Sequence, residues 1–79
     1  MLFLIEYDRE RGRLVTLRAF ESSERQKAEE ARLELEVQLI FNGINNEVVL
    51  LEAESEEAIR RTHRRYFEEL RELASPSPS

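Results

Sequence analysis

Two short segments, Leu2-Phe3-Leu4-Ile5 and Val48-Val49-Leu50-Leu51, are apolar at every position. This continuity constrains the fold more than any other feature of the chain. A strand with one wet face alternates apolar and polar residues, whereas unbroken apolar runs belong to strands covered on both sides. Read as strands, Leu2–Tyr7, Arg13–Phe20 and Glu47–Ala53 place Phe3, Ile5, Tyr7, Val15, Leu17, Ala19, Val49, Leu51 and Ala53 on one side of a sheet. The opposite side carries Leu2, Leu4, Glu6, Leu14, Thr16, Arg18, Val48, Leu50 and Glu52, more than half of them aliphatic.

Local signals order the rest of the chain. Asp8-Arg9-Glu10-Arg11-Gly12 is a polar stretch whose glycine can take the left-handed conformation that closes a hairpin. Ser23-Glu24-Arg25-Gln26 matches a capping box and opens a helix of about 20 residues, stopped at Asn42-Gly43. Within it Ala28, Ala31, Leu35 and Leu39 fall at helical spacing, and Leu33, Val37 and Ile40 widen the apolar stripe. Ser55 caps a second helix, with Glu56 and Glu57 in its first turn and Ile59, Tyr66, Leu70 and Leu73 recurring to about Ala74. The order ββαβα predicts one α+β domain over 1–74. Its three-stranded sheet is antiparallel or mixed, in the order 2-1-3, with two helices on one face. The end, Ser75-Pro76-Ser77-Pro78-Ser79, reads as a disordered tail.

With both helices on one face, the other face is left bare. Its aliphatic side chains form a patch of several hundred Å², near or above roughly 300–600 Å², the largest usual on a monomer. The expectation is therefore a homodimer whose sheet faces meet through Leu2, Leu4, Leu14, Val48 and Leu50, with Glu6, Arg18 and Glu52 at the rim.

Composition narrows the chemistry. Charged residues make up 37% of the 79 and the net charge is −5, which argues against bulk attraction to nucleic acid or anionic membranes. The chain has no cysteine and one histidine, so disulfides, thiolate chemistry and the usual zinc sites are excluded, and no metal or cofactor is expected. No apolar run approaches the roughly 20 residues that span a bilayer, and the expected location is cytoplasmic. His63 is the one side chain whose ordinary pKa lies near neutrality. With Tyr7 and Tyr66 it is a candidate for lining a small-molecule pocket or serving a cofactor-free enzyme. Arg60, Arg61, Arg64 and Arg65 form the most basic stretch and are the candidates for anion or nucleic-acid binding. Their partners at helical spacing, Glu56, Glu57, Glu68 and Glu69, neutralise them and favour a solvated face. With no catalytic spacing beyond this, the first reading is a non-enzymatic homodimeric interaction or regulatory module, open to a further protein partner.

The segment Val48-Val49-Leu50-Leu51-Glu52-Ala53-Glu54-Ser55-Glu56-Glu57-Ala58-Ile59 resembles the strand, EA-x-SEE, helix ending of small ferredoxin-like proteins, the dimeric alpha-beta barrel class. That class usually has four strands in a βαββαβ order and dimerises through its sheets. Its members include monooxygenases and small-molecule binders. The resemblance implies a fold and a mode of pairing, and transfers no functional residue.

Overall fold

The structure is a computed structural model and describes residues 1–67. Strands β1 (Leu2–Asp8) and β2 (Arg13–Phe20) form a hairpin, followed by helix α1 (Arg25–Phe41), strand β3 (Glu47–Glu52) and helix α2 (Glu56–Thr62). The sheet order is β2-β1-β3, and β1 runs antiparallel to both neighbours, so β2 and β3 are parallel to each other. The expected order and strand directions are thus found. Expected residues 68–74 of the second helix and the 75–79 tail lie outside the described residues.

The hairpin closes through Asp8. Its Oδ1 accepts the backbone N–H groups of Glu10 (3.0 Å) and Arg11 (3.1 Å), and its Oδ2 accepts Arg11 Nη1 at 3.0 Å. Gly12, at φ 64°, donates its N–H to the Asp8 carbonyl at 2.8 Å. The backbone N–H of Arg11 is the leading reason that the Asp8 carboxyl titrates below its ordinary range.

Helix α1 starts later than the expected capping box. Ser23 lies within a 3₁₀ turn, Ser22–Glu24, and the reach-back contact is made by Glu24, whose Oε1 accepts the Glu21 N–H at 3.0 Å. Its end is as expected. Gly43, at φ 69°, donates to the Ile40 carbonyl (3.1 Å) and Ile44 to the Leu39 carbonyl (2.8 Å). Those two bonds make a Schellman motif. Helix α2 is capped by the Ser55 Oγ, which accepts the Ala58 N–H at 3.1 Å. It breaks at His63 (φ −126°, ψ 52°), where a continuous helix was expected, and a 3₁₀ turn over Arg64–Tyr66 follows. That turn carries Arg65 and Tyr66 onto Glu47 at the start of β3, a competing attraction that a reading of the helix alone does not contain.

The two helices lie on opposite faces of the sheet, which corrects the expectation of one shared face. Leu2, Leu4, Phe20 and Ala28 form one core, packed with Ala31, Leu35, Val48 and Leu50 beneath α1. Phe3, Ile5, Tyr7, Ile59 and Tyr66 form the other, beneath α2 and the turn after it. The central strand is accordingly buried along its whole length, as its unbroken apolar run requires. A bulge corrects the assignment in β2. Glu6 pairs with Thr16 but Tyr7 with Leu14, so Val15 is the extra residue. On the N-terminal side of the bulge Leu14 turns to the α2 side, while Val15 is half exposed.

Candidate interaction surface

The back of α1 carries the structure's main unused apolar surface among the described residues. Ala28 and Leu39 are its buried residues, flanked by half-buried Ala31 and Leu35. At about 100° per residue, Leu33, Val37, Ile40 and Phe41 point roughly 125–175° away from that direction. Their exposures agree: 61%, 55%, 78% and 90%. Ile44, just beyond the helix, adds to the same end. Beside it Leu39, Ile40, Ile44 and Val48 border a shallow groove of about 130 Å³. The expectation that Leu33, Val37 and Ile40 widen the buried stripe is therefore corrected. They form a second stripe on the opposite side of the helix.

The residues expected at a sheet-to-sheet interface are occupied within one chain. Leu2 and Leu4 are 2% and 1% exposed beneath α1, and Val48 and Leu50 pack against the same cluster. Leu14 belongs to the other core through the bulge. The expected rim charges are also engaged. Glu6 is buried and accepts Thr16 Oγ1 (3.0 Å) and Asn46 Nδ2 (2.7 Å). Glu52 meets Arg25 at 3.2 Å, and Arg18 lies over the Phe20 ring at 5.0 Å. Within one chain α1 covers this sheet face, so Leu2, Leu4, Val48 and Leu50 do not present the bare surface expected of them.

The three residues named for a pocket do converge, as a packed cluster. The Tyr7 and Tyr66 rings meet edge-on at 5.3 Å, and His63 stacks on Tyr66 at 6.3 Å with its Nδ1 2.9 Å from Thr62 Oγ1. Glu47, which sequence reasoning passed over, organises this end. Its Oε2 accepts the Tyr66 hydroxyl (2.5 Å) and Arg65 Nη2 (3.0 Å), and its Oε1 accepts Arg9 Nε (3.2 Å). The Tyr66 hydroxyl, followed by Arg65, holds the Glu47 carboxyl below its ordinary range. Burial, then Glu47 itself, pushes Tyr66 up. These partners come from three separate stretches of chain, so no local motif announces them.

The arginine candidates are drawn into ion pairs. Arg60 bonds Glu56 at 2.9 Å and Arg61 approaches Glu57 at 3.6 Å, as the helical spacing implies. Arg65 turns to Glu47, and its guanidinium stacks 4.4 Å from the Tyr66 ring centre. Arg64 sits in the same 3₁₀ turn and is also engaged. No helix among the described residues is long and apolar enough to cross a membrane. Comparison with protein-family models, curated proteins and solved structures gave no match.

Proposed function

We propose that this chain is a non-enzymatic interaction module that works as a homodimer through the back of α1. The observation that carries the reading is the stripe of Leu33, Val37, Ile40 and Phe41, turned away from a core that is already complete. With Ile44 it offers on the order of 600 Å² of apolar surface, at the upper limit for an ordinary monomer. Paired with its own copy it buries at most about 1,200 Å², the lower end of stable interfaces. The groups best suited to acid–base work support the non-enzymatic part. His63, Tyr66 and Glu47 are committed to one another and to their neighbours. The resemblance to the ferredoxin-like class rests on the one strand–helix segment, and the sheet face used for pairing in that class is covered here by a helix.

Light scattering at micromolar concentration tests the proposal. The unmodified chain is expected at twice its mass, and Ile40→Glu at the single-chain mass with an unchanged circular dichroism spectrum. A single-chain mass for the unmodified protein refutes the homodimer.

A further inference from the structure

The stripe has a spacing that selects a geometry. Leu33, Val37 and Ile40 are separated by four and three residues, one heptad step of a coiled-coil seam, and Ile44 follows beyond the helix, after the turn at Gly43. The seam occupies only the C-terminal half of α1. On the same outward side, the N-terminal half presents Gln26 and Glu30 in place of apolar residues. A second copy must therefore cover the C-terminal half without aligning the acidic half against itself.

Resting on the homodimer reading, we infer that two copies pack α1 against α1 in antiparallel orientation about a two-fold axis. Val37 of each copy lies opposite Ile40 of the other, and Leu33 enters the groove at Ile44 of the other. The Val37–Ile40 layers of this register are apolar. Leu33 is directed at the groove of about 130 Å³, against its apolar wall of Ile40, Ile44 and Val48 and facing Glu36, Asn45 and Asn46 across it. Phe41, the most exposed of the apolar side chains, flanks the seam beside the methylene stems of Glu34 and Gln38 of the second copy. The acidic residues of the N-terminal half, Glu29 and Glu30, extend past the end of the facing seam. The parallel alternative keeps the same apolar layers but sets Glu30 opposite its own copy, like charges at close range, while Glu29 is already paired with Arg32 at 3.1 Å. Charge thus decides between two arrangements that apolar contact leaves equal. The two sheets lie on the outer sides of the paired helices, giving a sheet, helix, helix, sheet stack.

The absence of cysteine makes the test direct. Full-length Leu33→Cys and Ile44→Cys are mixed, allowed to exchange, and oxidised. In the inferred register the two positions meet, so mixed disulfide dimers form in about half or more of the chains, the statistical share. Leu33→Cys alone stays uncrosslinked, because its two copies lie about 16 Å apart along the seam. Crosslinking of Leu33→Cys with itself would show parallel packing and overturn the inference. A dimeric mass with neither crosslink would place the contact elsewhere, overturning this geometry while the homodimer stands. A single-chain mass for the unmodified protein removes both.

Discussion

Replacing Tyr66 by phenylalanine isolates one hydroxyl in the network around Glu47. The ring itself, 5% exposed and edge-on to Tyr7, is kept, as is the face on which Arg65 stacks. What disappears is the donor to the Glu47 carboxylate at 2.5 Å and the acceptor of Arg65 Nη2 at 2.8 Å. A hydrogen bond to a charged group contributes about 1.5–3 kcal/mol, and Glu47 retains Arg65 and Arg9. Tyr66→Phe is therefore expected to cost about 1.5–3 kcal/mol at neutral pH, measured by urea unfolding at matched protein concentration because the proposed association would also stabilise the fold.

The pH dependence gives the same experiment a second reading. Glu47 titrates below its ordinary range, with the Tyr66 hydroxyl as the first cause. Its contribution to stability is therefore present above the ordinary glutamate pKa and lost as the pH falls through the lower folded value. The variant has less to lose, so the gap between it and the parent narrows from about pH 7 to about pH 3. At the alkaline end the raised Tyr66 pKa works the other way. Its stabilisation holds below the ordinary tyrosine pKa and is lost as the pH rises through the folded value, a loss that phenylalanine cannot show. A gap below about 0.5 kcal/mol at neutral pH, or one unchanged on acidification, would refute the argument that this hydroxyl fastens the turn after α2 to β3.

Two further substitutions probe the core and the end of α1. Gly43→Ala meets nothing within 4 Å but must hold φ 69°, so thermal unfolding should report a loss of about 1–2 kcal/mol from conformation alone. Leu4→Ala empties a position 1% exposed beneath α1 and should cost about 2–5 kcal/mol in urea. A loss well under 1 kcal/mol would contradict its place in a single-chain core.

Much of the fold is legible because its signals are local. Ser55 and Asn42-Gly43 mark helix ends through hydrogen bonds spanning a few residues, and the polar run ending in Gly12 marks the hairpin. The strand order follows from that hairpin and from a β3 parallel to β2. The faces were harder to read. Apolar residues on both sides of β1 say that two covers exist, yet they fit a second chain as well as a second helix. What distinguishes them is the path of the chain after β3, and no residue pattern before Ser55 states it. Val15 and Leu14 exchange sides because one residue is inserted against β1, and both are aliphatic, so the alternation looks the same either way. The stripe on α1 was within reach of arithmetic. Leu33 and Val37 stand well over a quarter-turn from Leu35 and Leu39 at about 100° per residue. Glu47 was not, since Arg9, Arg65 and Tyr66 meet it only after folding.

Covering the sheet on both faces also separates folding from association. Leu2, Leu4, Phe3 and Ile5 are consumed in holding α1 and α2 onto β1, so changes there act on the unfolding equilibrium. Leu33, Val37, Ile40 and Phe41 make no comparable contribution inside one chain, so in the proposed homodimer changes there are expected to act on the contact between chains. Had the sheet face been the interface, as the apolar strands first suggested, each aliphatic residue would have served both purposes and no substitution could dissolve the pair without loosening the fold. If the contact is on the far side of α1, as proposed, a single acidic residue at Ile40 is expected to break the pair and leave the domain standing. Assembly can then be set by concentration and local charge while the three-stranded core stays unchanged.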